Sequence, residues 1–232
     1  MPPPDDPHGN GPVLRSGALL ERARLVLVMA HGRGAAAGDM LALARHLALP
    51  DVACLAPEAA GHSWWPNSFL APLAANAPWV ASALAAVGRV VRGAIEAGVP
   101  RRRIAVLGFS QGTCLALEYA ARSGEGLAAA IGLSGGLIGT ADADGPPRPD
   151  LYGYPDKAFD YDTALAGTAV FLGCHERDPH IPLARVRDTA AVFKRLGAAV
   201  TTQILPGAGH GVDEAELAAV RTLLETAAAR DG

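Results

Sequence analysis

Arg103-Ile104-Ala105-Val106-Leu107-Gly108-Phe109-Ser110-Gln111-Gly112 runs directly into Thr113-Cys114-Leu115-Ala116-Leu117-Glu118-Tyr119-Ala120-Ala121. The first half is a short apolar run ending in a small residue, the habit of a buried strand. The second half is rich in helix formers. Between them stands G-x-S-x-G, which in the context strand–turn–helix lifts its serine out of the backbone as a nucleophile elbow. The glycines carry the physical reason. A serine on so sharp a turn sits on strained backbone, and side chains two residues before and after it would collide. Gly108 and Gly112 remove them. The helix that follows points its free N–H groups back at the serine, which suits an oxyanion.

Outward from this turn the same alternation repeats. Leu25-Val26-Leu27-Val28-Met29-Ala30 is continuous and apolar, as in a parallel strand buried on both faces. Asp39 to Leu49 has helical spacing, with Met40, Leu43, Ala44 and Leu47 on one face. Val52 to Pro57 reads as a strand, Trp79 to Glu96 as a long helix closed by Gly98 and Pro100, and Leu127 to Ser134 as another buried strand. Thr168–Gly173 and Ala198–Leu205 are expected strands; Leu183–Leu196 and Asp213–Ala229 are expected helices. Pro12 to Gly17 suits a short edge strand. Alternation of this kind predicts an α/β fold, a mostly parallel sheet with helices on both faces, in one domain over residues 12–232. Residues 1–11, rich in Pro, Asp and Gly, are expected to be a disordered N-terminal tail.

Two stretches interrupt the pattern. Residues 58–77 form a long loop with His62, Trp64, Trp65, Asn67 and Phe69. Residues 139–163 hold four prolines, the aromatics Tyr152, Tyr154, Phe159 and Tyr161, and six aspartates against Arg148 and Lys157. Long excursions of this type are functional or mobile. This one is expected to be mobile or to lie at a subunit contact, which would make the protein a homodimer.

Composition removes several function classes. At 232 residues, half hydrophobic and 19% charged, the chain can build one sizeable core. A net charge of −3 gives no reason to expect nucleic acid or an anionic membrane as partner. No apolar run approaches a bilayer span, and the start lacks the basic and apolar regions of a signal peptide, so a cytoplasmic location without stable membrane association is expected. Cys54, Cys114 and Cys174 are odd in number and show no C-x-x-C spacing; they read as small core residues rather than disulfides or zinc ligands.

A serine hydroxyl needs a base to take its proton and a third group to orient that base. In doubly wound sheets such groups sit at the carboxyl ends of strands. After the strand ending at Gly173 come Cys174, His175, Glu176, Arg177, Asp178, Pro179 and His180; after the one ending at Leu205 come Gly207, Ala208, Gly209, His210 and Gly211. With Ser110 these give the order Ser, Asp, His. Asp178, flanked by Pro179 and Pro182, is the expected orienting acid, with Glu176 as runner-up. His210, in a glycine-rich loop, is the expected base. His175 and His180 are rivals that would otherwise line the entrance or be solvated, and His8 and His62 are assigned no role. The turn His31-Gly32-Arg33-Gly34 ends an earlier strand, so the backbone N–H groups of Arg33 and Gln111 are the expected oxyanion donors. The Arg33 side chain reads as a solvated surface group, attraction of anionic substrates being the alternative. Trp64, Trp65, Phe69 and Leu70, with Ile181 beside the acid, are expected to line the substrate site.

His31-Gly32-Arg33-Gly34, Gly108-Phe109-Ser110-Gln111-Gly112, Asp178-Pro179-His180-Ile181-Pro182 and Gly209-His210-Gly211, spread over residues 25–212, resemble the α/β-hydrolases of the phospholipase/carboxylesterase family, which includes the acyl-protein thioesterases. The resemblance implies a cofactor-free Ser-His-Asp esterase acting on a small-molecule ester, with Ser110, Asp178 and His210 as triad. Thioesterase, lysophospholipase and non-catalytic binding protein are the alternatives. Two departures, Gly34-Ala35-Ala36-Ala37 where the family often has an acid and the paired Trp64-Trp65, favour short- to medium-chain esters over protein-linked palmitoyl groups.

Overall fold

Leu25–Ala30 (β2) is buried at every position, and its alternate residues feed two separate cores. Val26, Val28 and Ala30 face one cluster; Leu25, Leu27 and Met29 face the other. The computed structural model describes residues 5–229 and builds both clusters around one seven-stranded sheet of order β1-β3-β2-β4-β5-β8-β9. The other strands are β1 (Val13–Gly17), β3 (Val52–Pro57), β4 (Ile104–Phe109), β5 (Ala129–Leu133), β8 (Ala169–Arg177) and β9 (Ala199–Ala208). Only β1 is antiparallel, on the edge beside β3. Helices α2 (Trp79–Glu96), α3 (Gln111–Ser123) and α4 (Leu183–Arg195) cover the first face, and α1 (Ala37–Leu47) and α5 (Glu214–Ala229) the second. This is the mostly parallel α/β architecture expected from the alternation, and it agrees with the α/β-hydrolase fold that the resemblance implies. Among the described residues no helix is long and apolar enough to cross a membrane.

The sheet order places the site. The chain lays β3 on one side of β2 and β4 on the other, so the order reverses between β2 and β4. At such a switch point the loops beyond the carboxyl ends diverge and leave a crevice. His31–Gly34 leaves β2 on one side of it and Ser110 leaves β4 on the other.

Three expectations are corrected. First, β8 and β9 run on to Arg177 and Ala208, beyond the apolar stretches at Gly173 and Leu205. Backbone pairing continues through Cys174↔Ile204 and His175↔Leu205, then through a bulge to Arg177↔Ala208, regardless of side-chain polarity. Second, residues 5–11 are not a disordered tail, and residues 1–4 lie outside the described residues. His8 is 2% exposed; its backbone N–H donates to Ser82 Oγ (2.8 Å), and its ring Nε2 donates to the Trp64 carbonyl (2.9 Å). Asp6 pairs with Arg89 at 3.0 Å.

Third, the mobility expected as one option for the 139–163 excursion is corrected, because the segment is tied down along its length. It forms a short hairpin, β6 (Ala141–Asp142) with β7 (Lys157–Ala158). The buried Lys157 ammonium donates to the Ala71 carbonyl (2.7 Å) and pairs with Asp142. Tyr161 donates to the buried Glu118 carboxylate (2.8 Å), which also accepts from the Ile138 N–H (2.9 Å) and the Arg122 guanidinium (2.7 Å). Phe159 lies under the Arg185 guanidinium, and Leu151 is fully buried. The aromatics need not reach one core, because each finds its own partner.

Candidate active site

At the end of β4 the backbone of Ser110 takes φ 53° and ψ −120°. A non-glycine residue held at positive φ costs of order 1–3 kcal/mol and must be over-determined by its surroundings. The surroundings are clear. A Cβ on Gly112 would sit 2.0 Å from the Ala30 carbonyl oxygen, and one on Gly108 2.1 Å from that of Gly112. The turn therefore packs backbone on backbone against β2. Ser110 N–H donates to Leu133 O (2.9 Å), and Thr113 Oγ1, accepting from Leu133 N–H, ties α3 to β5.

The extended pairing of β8 with β9 brings the other two groups alongside. His210 Nδ1 lies 2.8 Å from Asp178 Oδ2, and His210 Nε2 lies 2.9 Å from Ser110 Oγ. An ionised carboxylate only accepts, so Nδ1 carries the ring proton and Nε2 is left to accept from the serine. Asp178 is 2% exposed. Burial by itself would raise its pKa; the bonds from His210 and from the backbone N–H groups of His180 (2.8 Å) and Ile181 (3.1 Å) outweigh it and hold the carboxyl below its ordinary value. Tyr152, at the tip of the excursion, donates its hydroxyl to the Asp178 carbonyl. Glu176, the runner-up acid, points to solvent and pairs with Arg177 at 3.4 Å.

The rival histidines separate. His180 lines the cavity and meets the His210 ring edge-on at 4.8 Å. His175 lies under the His210 loop, so close that a Cβ on Gly209 would come within 2.6 Å of its Nε2. It neither lines the entrance nor is freely solvated. Cys114 borders the cavity, but burial pushes its thiol up to about 12, so it stays protonated at neutral pH.

The turn after β2 is braced from within. His31 is fully buried; its Nδ1 donates to the Gly32 carbonyl (2.8 Å) and its Nε2 accepts from Ala59 N–H (3.0 Å). Burial keeps the ring below the usual histidine pKa, as a neutral strut. Among the described residues neither the Arg33 nor the Gln111 backbone N–H has a hydrogen-bond partner. Both are free to serve an anion beside Ser110.

A cavity of about 400 Å³ opens at Ser110 and His210, walled by Trp65, Phe69, Ile181 and Cys114, with Arg33, Gln111 and His180 at its polar side. Two of the expected wall residues do not reach it. Trp64 is fully buried: its Nε1 donates to the His31 carbonyl (2.8 Å), and its ring packs between His8 and His31. Leu70 is buried in the first core. Of the two tryptophans only Trp65 lines the cavity, and of the pair Phe69-Leu70 only Phe69 does.

Several supporting residues gave little signal in sequence. The Gln111 side chain accepts from Trp64 N–H (2.9 Å) and donates to the Trp65 carbonyl (2.9 Å), fastening the tryptophan loop to the elbow. Arg33 fastens the same loop from outside. Its Nη1 donates to Ser63 Oγ (3.2 Å) and Pro66 O (2.8 Å), and its Nη2 to Asn67 O (2.6 Å), so it is not the freely solvated group expected. His8 braces the loop from behind. Gln111 and Arg33 stood in recognisable motifs, but nothing there marked their side chains as clamps on the tryptophan loop; nothing local marks the reach of His8.

The family model for phospholipase/carboxylesterase matches residues 18–147, and that for the dienelactone hydrolase family matches residues 83–230. No curated protein matches. Among solved structures, a phospholipase/carboxylesterase from Dyadobacter fermentans is 34% identical, with TM-score 0.80 over 93% of this chain and 97% of its own. Esterase PE8 is 22% identical (TM-score 0.66; 93% and 97% covered), and the Bacillus cereus carboxylesterase 16% (TM-score 0.66; 94% and 95%); these two share the fold. A family match over more than half of the sequence, and a one-third-identical relative aligned almost end to end, establish that this chain belongs to the phospholipase/carboxylesterase family of α/β-hydrolases.

Proposed function

We propose that the protein is a serine carboxylesterase that hydrolyses short- to medium-chain carboxylic esters through an acyl-enzyme. One observation carries the reading: the unbroken chain from Ser110 Oγ to His210 Nε2 at 2.9 Å and from Nδ1 to Asp178 Oδ2 at 2.8 Å. Ser110 Oγ attacks the ester carbonyl as His210 takes its proton. The oxyanion is held by the Arg33 and Gln111 N–H groups, each such donor being worth about 10²–10³ in kcat. His210 gives the proton to the departing alcohol oxygen. Water then enters, loses a proton to His210 and attacks the acyl-enzyme, and the proton returns to Ser110 as the acid leaves. Asp178 holds the ring in the tautomer this requires.

The size of the cavity supports the acyl range. At about 400 Å³ it lies near the lower end of small-molecule sites, and the Trp65 indole is part of its wall. The test is a p-nitrophenyl butanoate assay with a pre-steady-state burst, paired with labelling by a fluorophosphonate. The expected result is one equivalent of burst and a label on Ser110, with Ser110→Ala folded and inactive. Retention of more than a few per cent of kcat in that variant, or a label elsewhere, refutes the triad.

A further inference from the structure

The Arg33 guanidinium stands at the rim of the cavity that opens onto Ser110. Three of its N–H bonds go to neutral oxygens, on Ser63, Pro66 and Asn67. A guanidinium carries five donors and no acceptor. Its Nε proton and one Nη2 proton have no partner among the described residues. No carboxylate of the described residues faces it, and none lines the cavity. The charge is therefore fixed in direction by three bonds, uncompensated, and placed one side-chain length from the backbone N–H nominated for the oxyanion. Overall charge does not explain it, since the chain is net negative. A preorganised cation with spare donors beside a reacting centre matches the planar anionic oxygens of a carboxylate.

We infer that Arg33 selects esters bearing an anionic oxygen group close to the scissile bond, carboxylate being the probe chemistry. The inference rests on the esterase reading above and narrows its substrate class. The competing view is that Arg33 only clamps the 63–67 loop. The two differ in one measurable ratio. A clamp affects neutral and anionic esters alike, whereas a recognition charge affects only the anionic one.

The experiment measures kcat/KM for two matched pairs. Mono-p-nitrophenyl adipate against p-nitrophenyl hexanoate places the charge on the acyl side. p-Carboxyphenyl butanoate against p-carbamoylphenyl butanoate places it on the alcohol side. The wild-type protein is expected to prefer the anionic member by about tenfold in one of the pairs, a charge-assisted hydrogen bond at a partly exposed site. The ratio should fall towards one in Arg33→Gln and survive in Arg33→Lys, whatever either does to the common rate. It should also fall as salt is raised in the wild-type protein, which decides the matter if Arg33→Gln does not fold. No preference in either pair, or a preference insensitive to salt and to Arg33→Gln, overturns the inference while leaving the esterase reading intact. Hydrolysis of none of the four esters overturns both.

Discussion

Glu216 lies in the first turn of α5, shortly after the His210 loop, and its carboxylate is fully buried. It forms a capping box with Asp213: Glu216 Oε2 accepts from Asp213 N–H (3.0 Å), and Asp213 Oδ1 accepts from Glu216 N–H (2.8 Å). Oε1 has no partner among the described residues, and it presses on β8 so closely that a Cβ on Gly173 would meet it at 2.1 Å. Burial first, and then the Asp213 charge, raise the Glu216 pKa from 4.5 to about 7 against the opposing bond from Asp213. The folded state thus holds this proton more tightly than the unfolded chain does. The resulting stability is fully present below pH 4.5 and is lost as pH rises through about 7. A shift of about 2.5 units corresponds to about 3 kcal/mol. Glu216→Gln keeps an amide oxygen for the Asp213 N–H and cannot ionise. Its stability relative to the wild-type protein should grow by about 3 kcal/mol between roughly pH 5 and 8, or roughly 6–12 °C in Tm for a chain of this size. Urea unfolding of both proteins across that range measures it. The buried Glu118 titrates in both and cancels in the difference. A difference that stays flat with pH would show that Glu216 ionises as freely folded as unfolded, and the reasoning would fail.

Two further outcomes concern the site. Asp178→Asn should lower kcat by about 10²–10⁴, because the amide would reverse the His210 tautomer, while the solvent-facing Glu176→Gln should cost little; the opposite pattern would move the acid role to Glu176. Trp65→Ala should shift the acyl-length optimum of p-nitrophenyl esters upward, each methylene adding about 0.8 kcal/mol, or about fourfold, until the enlarged cavity fills. Trp64→Ala, behind the wall, should cost stability by about 3–5 kcal/mol without moving that optimum. A wild-type optimum at palmitoyl length, or identical shifts in both variants, would contradict this account.

The strands and the elbow were legible because their causes are local. Leu25–Ala30 and Ile104–Phe109 are apolar at nearly every position, which suits only a strand buried on both faces. Gly108 and Gly112 are required by contacts within one turn and its neighbouring strand. The order Ser110, Asp178, His210 follows from which strands carry the edge loops. Other features depend on residues far apart in the chain. Two acids and two histidines crowd residues 175–180, and only the register of β8 on β9, bulge included, puts Asp178 against His210 and turns Glu176 outward.

Trp64 and Trp65 are neighbours of identical chemistry. The bonds from Gln111, His8 and His31, which lie 33 to 56 residues from Trp64 or 46 from Trp65, decide that one is core and the other cavity wall. Residues 5–11 read as a tail because their order comes from Trp64, Ser82 and Arg89 rather than from their own composition. By itself the sequence determined the layers of this protein, its elbow and the set of groups able to react, since propensity, burial and turn sterics act between near neighbours. Tertiary structure alone chose which of those groups meet and which side chains face the cavity. That choice is made by hydrogen bonds and packing across the sheet edge, between segments whose spacing along the chain carries no trace of their contact.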